Sequence, residues 1–571
     1  MKVMRGTPAS AGIAIGPAFQ FKVSEVHVRR EQAHDPSAEM KGLEAALKEA
    51  RQELTAVLEK AQKETDRQTA SIFEAHAMML EDPDYLAGIE NKIHAEGLKA
   101  EGAVAEETER YAQLLEGMED EYLRARAADV RDVGMRIVRI LLNVPRSPTQ
   151  GLDRPSILLA RDLTPSDTVS LDKSMVLGFC TVEGGPTAHV AILARQLGLP
   201  AVVGIGPGIL DLPDLCPLLL DGSEGTLTVE PEEEISAAKR AQASRLDSKA
   251  HEARKRARDP ATTRDGHRVE VAANIGNVAS AATALEAGAE GVGLLRTEFL
   301  YLERTSMPDE EEQYQAYRAI LDTFDPLPVI LRTLDVGGDK QLPYLDMPGE
   351  MNPFLGLRAI RLCLAKPELF KPQLRAVLRA GARGHLRLMF PMVATVAEVR
   401  AGRRVLEECR AELAAEGAAI AEKLEVGIMV EIPAAAVMAD QLAAEVDFFS
   451  IGTNDLSQYT LAADRTSSSV SSLADAFQPS VLRLVRQVVQ AAHREGKWAG
   501  MCGEIAGEPL ATPLLLGLGL DELSMNPTVI PQVKQILRGL SLEETQRMAP
   551  ALLDMEGPEA VRDWLAKNYP V

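Results

Sequence analysis

The sequence predicts a multidomain α/β protein: an α/β domain with an inserted helical bundle, a linker helix, and then a (β/α)8 TIM-type barrel. Three observations lead there. The 571 residues exceed the ~250 to 300 at which a single core stops growing. Composition shifts abruptly near residues 33 and 144, and the second half carries eight recurring apolar runs.

The chain opens with a small, apolar, glycine-punctuated stretch over 5–18, a turn followed by a strand. From about 37 to 143 it becomes rich in Ala, Glu, Leu and Lys, with Met40, Leu43, Leu47, Ala50, Leu54, Val57 and Ala61 at helical spacing. Residues 36–143 hold 23 acidic against 14 basic residues, a net charge of -9, so this is an acidic helical module. After Pro145 the strand-like runs 156–159, 175–179, 201–204 and 217–221 alternate with turns. The bundle, 33–143, is therefore an insertion, and 1–32 belongs with 144–230. Residues 231–260 are charged and alanine-rich, without glycine or proline between their ends. They predict a linker helix that, at ~1.5 Å per residue, spans roughly 40 Å.

From 261 to 571 the apolar runs are 269–275, 291–295, 329–334, 386–392, 426–432, 448–451, 498–501 and 522–525, mostly with helical stretches between them. That is the pattern of a (β/α)8 barrel, whose chemistry gathers at the C-terminal strand ends. Polar residues sit there: Asn274, Arg296, Asp335, Glu431, Asn454, Asp455, Cys502 and Glu504.

Composition limits the function classes. The chain is 46% hydrophobic and 26% charged, with net charge -22 and pI ≈ 5.0. This belongs to a globular protein, disfavours nucleic acid or an anionic membrane, and suits a basic protein partner. There is no basic-then-apolar leader and no apolar run near ~18 residues, so a cytoplasmic location is expected. Cys180, Cys216, Cys363, Cys409 and Cys502 are scattered and odd in number, against disulfides or a zinc site.

Gly184-Gly185-Pro186-Thr187-Ala188-His189 joins the apolar run 175–182 to an apolar-periodic segment, 190–197. This reads as strand, glycine turn and helix. A histidine in a first helical turn stays neutral beside the positive end of the dipole. Its imidazole is then a nucleophile, with free helix-start amides to hold a phosphoryl group. The same residues would also make an ordinary turn with an exposed histidine.

In the barrel, Glu431 and Asp455 offer hard oxygen ligands that leave room for waters and a phosphate, as Mg²⁺ requires; each would equally pair with an arginine. Arg296, Arg332, Arg358 and Arg465 are equipped for bidentate capture of phosphate and carboxylate. Cys502, between Gly500-Met501 and Gly503-Glu504, is either a small apolar filler or an acidic thiol placed to protonate a carbanion or enolate.

Several motifs together resemble Enzyme I of the bacterial phosphotransferase system. They are Ala9-Ser10-x-Gly12-Ile13-Ala14-x-Gly16, Gly184-Gly185-x-Thr187-x-His189, Gly293-Leu294-Leu295-Arg296-Thr297-Glu298, Arg332-Thr333-Leu334-Asp335-x-Gly337-Gly338-Asp339-Lys340, Asn352-Pro353-x-Leu355-Gly356-x-Arg358, Gly452-Thr453-Asn454-Asp455-Leu456 and Met501-Cys502-Gly503-Glu504. They run in order over essentially the whole chain.

The resemblance implies that 1–32 and 144–230 are a phosphohistidine domain with His189 as the phosphorylated nucleophile. It implies phosphoenolpyruvate held by Arg296, Arg332, Arg358, Asn454, Asp455 and Arg465, Mg²⁺ held by Glu431 and Asp455, and Cys502 as the proton donor that yields pyruvate. It further implies a bundle that docks the carrier protein HPr, with 72–80 resembling the helix at that surface, and a homodimer formed through the barrel. Because His189 would serve two sites, a hinge-type swing of the α/β domain about the linker is expected. Ala188, Ser457 and Thr466-Ser467 depart from the usual serine, threonine and Gly-Asn.

Two other functions are weighed. A pyruvate phosphate dikinase or phosphoenolpyruvate synthase shares the histidine domain and barrel but needs a nucleotide-binding domain ahead of the histidine, where this chain has mostly helical bundle. A phosphoenolpyruvate sensor would not need Cys502.

Overall fold

A computed structural model describes residues 2–21, 28–64, 76, 79–117, 121–144, 152–163, 174–184, 191, 194, 198–302, 304, 306–338, 342, 344–345, 350–467 and 469–570. The chain divides into two units, Met1–Asp247 and Ser248–Val571.

In the first unit the described strands are β1 (Lys2–Arg5), β2 (Thr7–Ser10), β3 (Ile13–Gln20), β4 (Ser156–Ala160), β5 (Val176–Thr181), β6 (Ala201–Val203), β7 (Pro217–Asp221) and β8 (Thr226–Val229). They form one mixed sheet in the order β1-β8-β7-β3-β4-β5-β6-β2. β4 is buried along its whole length. Its residues alternate between two apolar layers, Leu158 and Ala160 with Phe179 on one face, Ile157 and Leu159 with Cys180 on the other. A strand covered on both faces reads as an unbroken apolar run. Ala191 and Ala194, helical and buried, pack into the first layer.

The bundle contains α1 (Pro36–Glu64), α2 (Pro83–His94), α3 (Ala100–Glu116) and α4 (Glu121–Leu141). The periodic residues Leu43, Leu47, Ala50 and Leu54 of α1 pack with Tyr85, Ile89 and Ile93 of α2 and Val133 and Ile137 of α4. Asp82 caps α2 by accepting from Tyr85 N at 2.8 Å, ahead of Pro83. The stretch from Val28 lies with the bundle: Lys99 N donates to Glu31 O at 3.0 Å and Ala33 N to Gly97 O at 2.7 Å. Of 72–80, His76, Met79 and Leu80 are described. His76 is buried beside Asp129 and Asp132 of α4. The linker appears as α5 (Glu233–Lys255), with acids in its first turn and bases in its last, as its dipole favours.

The second unit is a closed parallel barrel, preceded by the short β9 (Ala261–Thr262). Each of the eight apolar runs holds one of its strands: β10 (Arg268–Ile275), β11 (Val292–Leu295), β12 (Val329–Arg332), β13 (Leu386–Phe390), β14 (Glu425–Val430), β15 (Phe448–Ile451), β16 (Trp498–Met501) and β17 (Glu522–Met525). Pairing of β10 with both β11 and β17 closes the ring. Outward residues such as Val271, Leu331 and Ile428 join the large core beneath the helices. Inward Leu294, Ile330, Met389, Met429, Phe448 and Cys502 form a separate cluster inside the ring, the period-2 division of a strand with two buried faces.

Near the N-terminal mouth Trp498 stacks on Phe448 at 4.6 Å, and the Arg387 guanidinium lies 4.9 Å from the Trp498 ring centre. Glu522 is buried there between Gly293 and Gly500. A Cβ on Gly293 would come within 2.5 Å of its Oε1 and displace it, and one on Gly500 would crowd it at 3.1 Å. Burial, then the neighbouring Glu270, pushes the Glu522 carboxyl up to about 8. A carboxyl raised on folding contributes its stability below its ordinary value near 4.5 and loses it as pH climbs through about 8. The melting temperature should therefore fall between pH 5 and pH 9, and fall less in Glu522→Gln. Parallel melting curves for the two proteins across that window would refute the assignment.

Candidate functional site

Asp335, just beyond β12, is buried and holds two buried arginines. Its Oδ1 and Oδ2 accept from Arg358 Nε at 2.9 Å and NH2 at 3.2 Å, while Arg332 NH1 lies 3.0 Å from Oδ2. Glu298 grips Arg332 from the other side at 3.0 Å and also accepts from Asp335 N at 3.2 Å. Arg358 NH1 continues to Asp455 Oδ1 at 3.2 Å, and Arg465 NH2 lies 3.6 Å from Asp455 Oδ2. Burial opposes the charge on Arg332, but Glu298, Asp335 and Glu431 outweigh it and hold its pKa above the ordinary arginine value. For Arg358 burial is likewise overcome, chiefly by Asp335 and then Asp455.

Local backbone makes this reach possible. Gly337 has φ 108°, and a Cβ there would sit 2.7 Å from Leu357 O and 2.9 Å from Arg358 Cα. Only glycine lets the turn after β12 lie against the Arg358 backbone. Ala359, next to Arg358, and Met392, after β13, both have positive φ, a conformation that costs a side-chain-bearing residue ~1–3 kcal/mol. At Met392 that conformation accompanies an N–H donated to Glu431 Oε1 at 2.6 Å.

Glu431 and Cys502 lie deeper. Burial first, then Asp455 and Asp335, pushes the Glu431 carboxyl up to about 8. Burial also pushes the Cys502 thiol up to about 11. The thiol is therefore a weaker acid than the sequence reading expected and keeps its proton at neutral pH. Cys502 is fixed by its own N–H to Ile451 O at 3.0 Å and by Asn274 Nδ2 donating to its carbonyl at 3.0 Å. Asn454 exchanges hydrogen bonds with Glu504 at 2.9 and 3.0 Å. A cavity of about 680 Å³ opens beside them, lined by Asn454, Arg465 and Glu504 among others.

The structure thus brings Arg332, Arg358, Glu431, Asp455 and Arg465 into one charge network. Arg296 stands exposed just beyond β11. His189 and its glycine turn from Gly185 onward lie outside the described residues. The sequence reading gave no role to Glu298, Gln373 or Tyr459. Gln373 is buried and ties Leu334 N to Thr297 Oγ1, and Tyr459 OH lies 3.4 Å from Arg358 NH1. Glu298 was legible as an acid two residues beyond Arg296; Gln373 sits in an ordinary helical pattern and carried no signal.

The arrangement also fits a divalent cation. Glu431 is a buried carboxyl short of positive charge, and a Cβ on Gly452 would approach its Oε2 to 3.2 Å, so glycine leaves that oxygen room. Among the described residues no three His, Cys, Asp or Glu side chains form a metal-binding group. A cation here would draw on two carboxylates and complete its shell with water and substrate oxygens.

Three family models match the chain. The PEP-utilising enzyme N-terminal model matches 5–126, the mobile-domain model 152–225, and the PEP-binding domain model 250–542. Phosphoenolpyruvate-protein phosphotransferase of Priestia megaterium is 46% identical over 568 residues, covering 100% of this chain and 99% of the relative. Those of Geobacillus stearothermophilus and Bacillus subtilis are 45% and 44% identical, covering 100% of this chain and 98% and 100% of theirs.

Replacing Asp335 by asparagine would leave two buried guanidiniums facing a neutral amide. Asp335→Asn should lower stability by about 3 kcal/mol, read as an earlier urea midpoint; an unmoved midpoint would show that the arginines are held without it.

Proposed function

The chain belongs to the phosphoenolpyruvate-protein phosphotransferase family, and we propose that it moves the phosphoryl group of phosphoenolpyruvate to His189 and on to a histidine of HPr. Pyruvate is released, and the reaction is the first step of the sugar phosphotransferase system. The observation that carries this reading is the cluster at the C-terminal end of the barrel, where Arg332, Arg358 and Arg465 meet Glu431 and Asp455 beside a protonated thiol.

In this reading Arg296, Arg332, Arg358, Asn454 and Arg465 bind the carboxylate and phosphate. Asp335 and Glu298 keep two of those arginines extended, so little reorganisation remains when charge spreads in the transition state. Glu431 and Asp455 would hold Mg²⁺, with Asp455 also bordering the substrate. A bound Mg²⁺ would neutralise charge on the phosphoryl oxygens. His189 takes the phosphoryl group, and Cys502 gives its proton to the methylene carbon of the enolate, which becomes the methyl group of pyruvate. The raised thiol suits that task, because a donor must arrive protonated.

The acidic bundle would receive HPr. A homodimer through the barrel is supported by the exposure of Met351 and Leu355, both in the loop ahead of Arg358. A cytoplasmic location is part of this reading. Among the described residues no helix is long and apolar enough to cross a membrane.

Incubation with phosphoenolpyruvate and Mg²⁺ should yield pyruvate and an acid-labile phosphoryl group on the protein, and His189→Ala should abolish the label. Label that survives, or a requirement for ATP, would overturn the reading. Cys502→Ala should slow pyruvate formation by about 100-fold while phosphoenolpyruvate still binds.

A further inference from the structure

Inside the barrel, Cys502 stands on a floor that holds a buried hydroxyl with no assigned task. The outer core takes Phe449 and Ile451 from β15 and Ala499 and Met501 from β16. The alternate residues therefore face inward: Phe448, Ser450 and Gly452 on β15, and Trp498, Gly500 and then Cys502 on β16. Ser450 is in register with Gly500, two residues before Cys502. Gly500 has no side chain, and Glu522 and the Trp498 ring pack against it instead.

Ser450 is fully buried, and its Oγ makes no hydrogen bond of normal geometry among the described residues. The inward apolar cluster is Leu294, Ile330, Met389, Met429, Phe448 and Cys502, with the buried Glu522 against Gly500. An idle buried hydroxyl costs ~1–3 kcal/mol, and a pure packing role would be served by alanine. The Cys502 thiol is near enough for the hydroxyl to favour its ionised form, whereas Glu431 and Glu522 disfavour that form and Arg332 supports it.

In the structure the Cys502 sulfur donates to Ile451 O at 3.8 Å. We propose that Ser450 is a positioning residue for the Cys502 proton donor, its hydroxyl donating to the sulfur from beneath as the S–H turns from the Ile451 carbonyl toward the substrate. This rests on the reading of Cys502 as the donor. In the step, the S–H bond breaks, its electron pair stays on sulfur, and a C–H bond forms at the enolate methylene. The Ser450 O–H then stabilises the thiolate until a water proton restores the thiol.

The test compares Ser450→Ala, Cys502→Ala and the double variant in the full chain, supplied with phosphoenolpyruvate, Mg²⁺ and HPr. Ser450→Ala should lower kcat for pyruvate formation about tenfold, leave KM for phosphoenolpyruvate within about twofold, and raise the solvent deuterium isotope effect as proton transfer becomes limiting. Its melting temperature should stay unchanged, and the double variant should be no slower than Cys502→Ala. Wild-type kcat in Ser450→Ala, or a slower rate with an unchanged isotope effect, would overturn the proposal while Cys502→Ala remains slow. Wild-type kcat in Cys502→Ala would overturn the donor reading and the proposal with it.

Discussion

The site depends on one carboxylate, Asp335, that faces two buried guanidiniums. Taking such charges out of water is costly, and the attraction between them offsets the cost only where geometry is good and the remaining donors are satisfied. Here the match is close: Arg358 presents a bidentate fork to Asp335, and Arg332 is shared between Asp335 and Glu298. An apolar substitute of similar volume would hold the barrel together at least as well. What it would lose is a set of cations already extended and dehydrated before an anionic substrate arrives, which is the condition for electrostatic stabilisation without reorganisation.

Around that network the backbone is pressed into shapes that most residues avoid. Ala359 and Met392, both flanking the site, have positive φ, and Gly337 admits no side chain. In a barrel the strands fix the direction of each chain end to within a residue, while the loops must deliver groups from strands that are not neighbours. Arg358 comes from the loop after β12 and reaches Asp455, which follows β15. The strain is stored where loop geometry is bent to meet a charge.

Much of the fold was legible because periodicity reports burial directly. The eight apolar runs became the eight barrel strands, and Leu43, Leu47, Ala50 and Leu54 became the core face of α1. The strand-end rule located Asp335, Glu431, Asp455 and Cys502 as polar groups at the C-terminal mouth of the barrel. Their partners were not legible. That Asp335 takes both Arg332 and Arg358, or that Gln373 braces Leu334, depends on side-chain reach across turns whose shape is set by tertiary contact. The sign of the Cys502 shift was hidden for the same reason: a cysteine between glycines looks accessible in sequence, whereas here it closes the top of an apolar cluster.

Burial then sets two opposite requirements within one cluster. It raises Glu431 and Cys502 alike, yet a metal ligand must be ionised and a proton donor must not. Uniform burial cannot satisfy both, so the distinction has to come from neighbours. Arg332 and Arg358 act on Glu431 from the side of the substrate and favour its carboxylate. Cys502 sits against Leu294, Ile330 and Met429, with the carboxylate of Glu431 adding to its resistance to ionise. The arginines that would capture the substrate oppose the rise at Glu431 without reversing it, and Arg332 favours the Cys502 thiolate as well. It is therefore the further positive charge of a bound cation that would leave Glu431 ionised while the thiol, two strands away in the ring, keeps its proton.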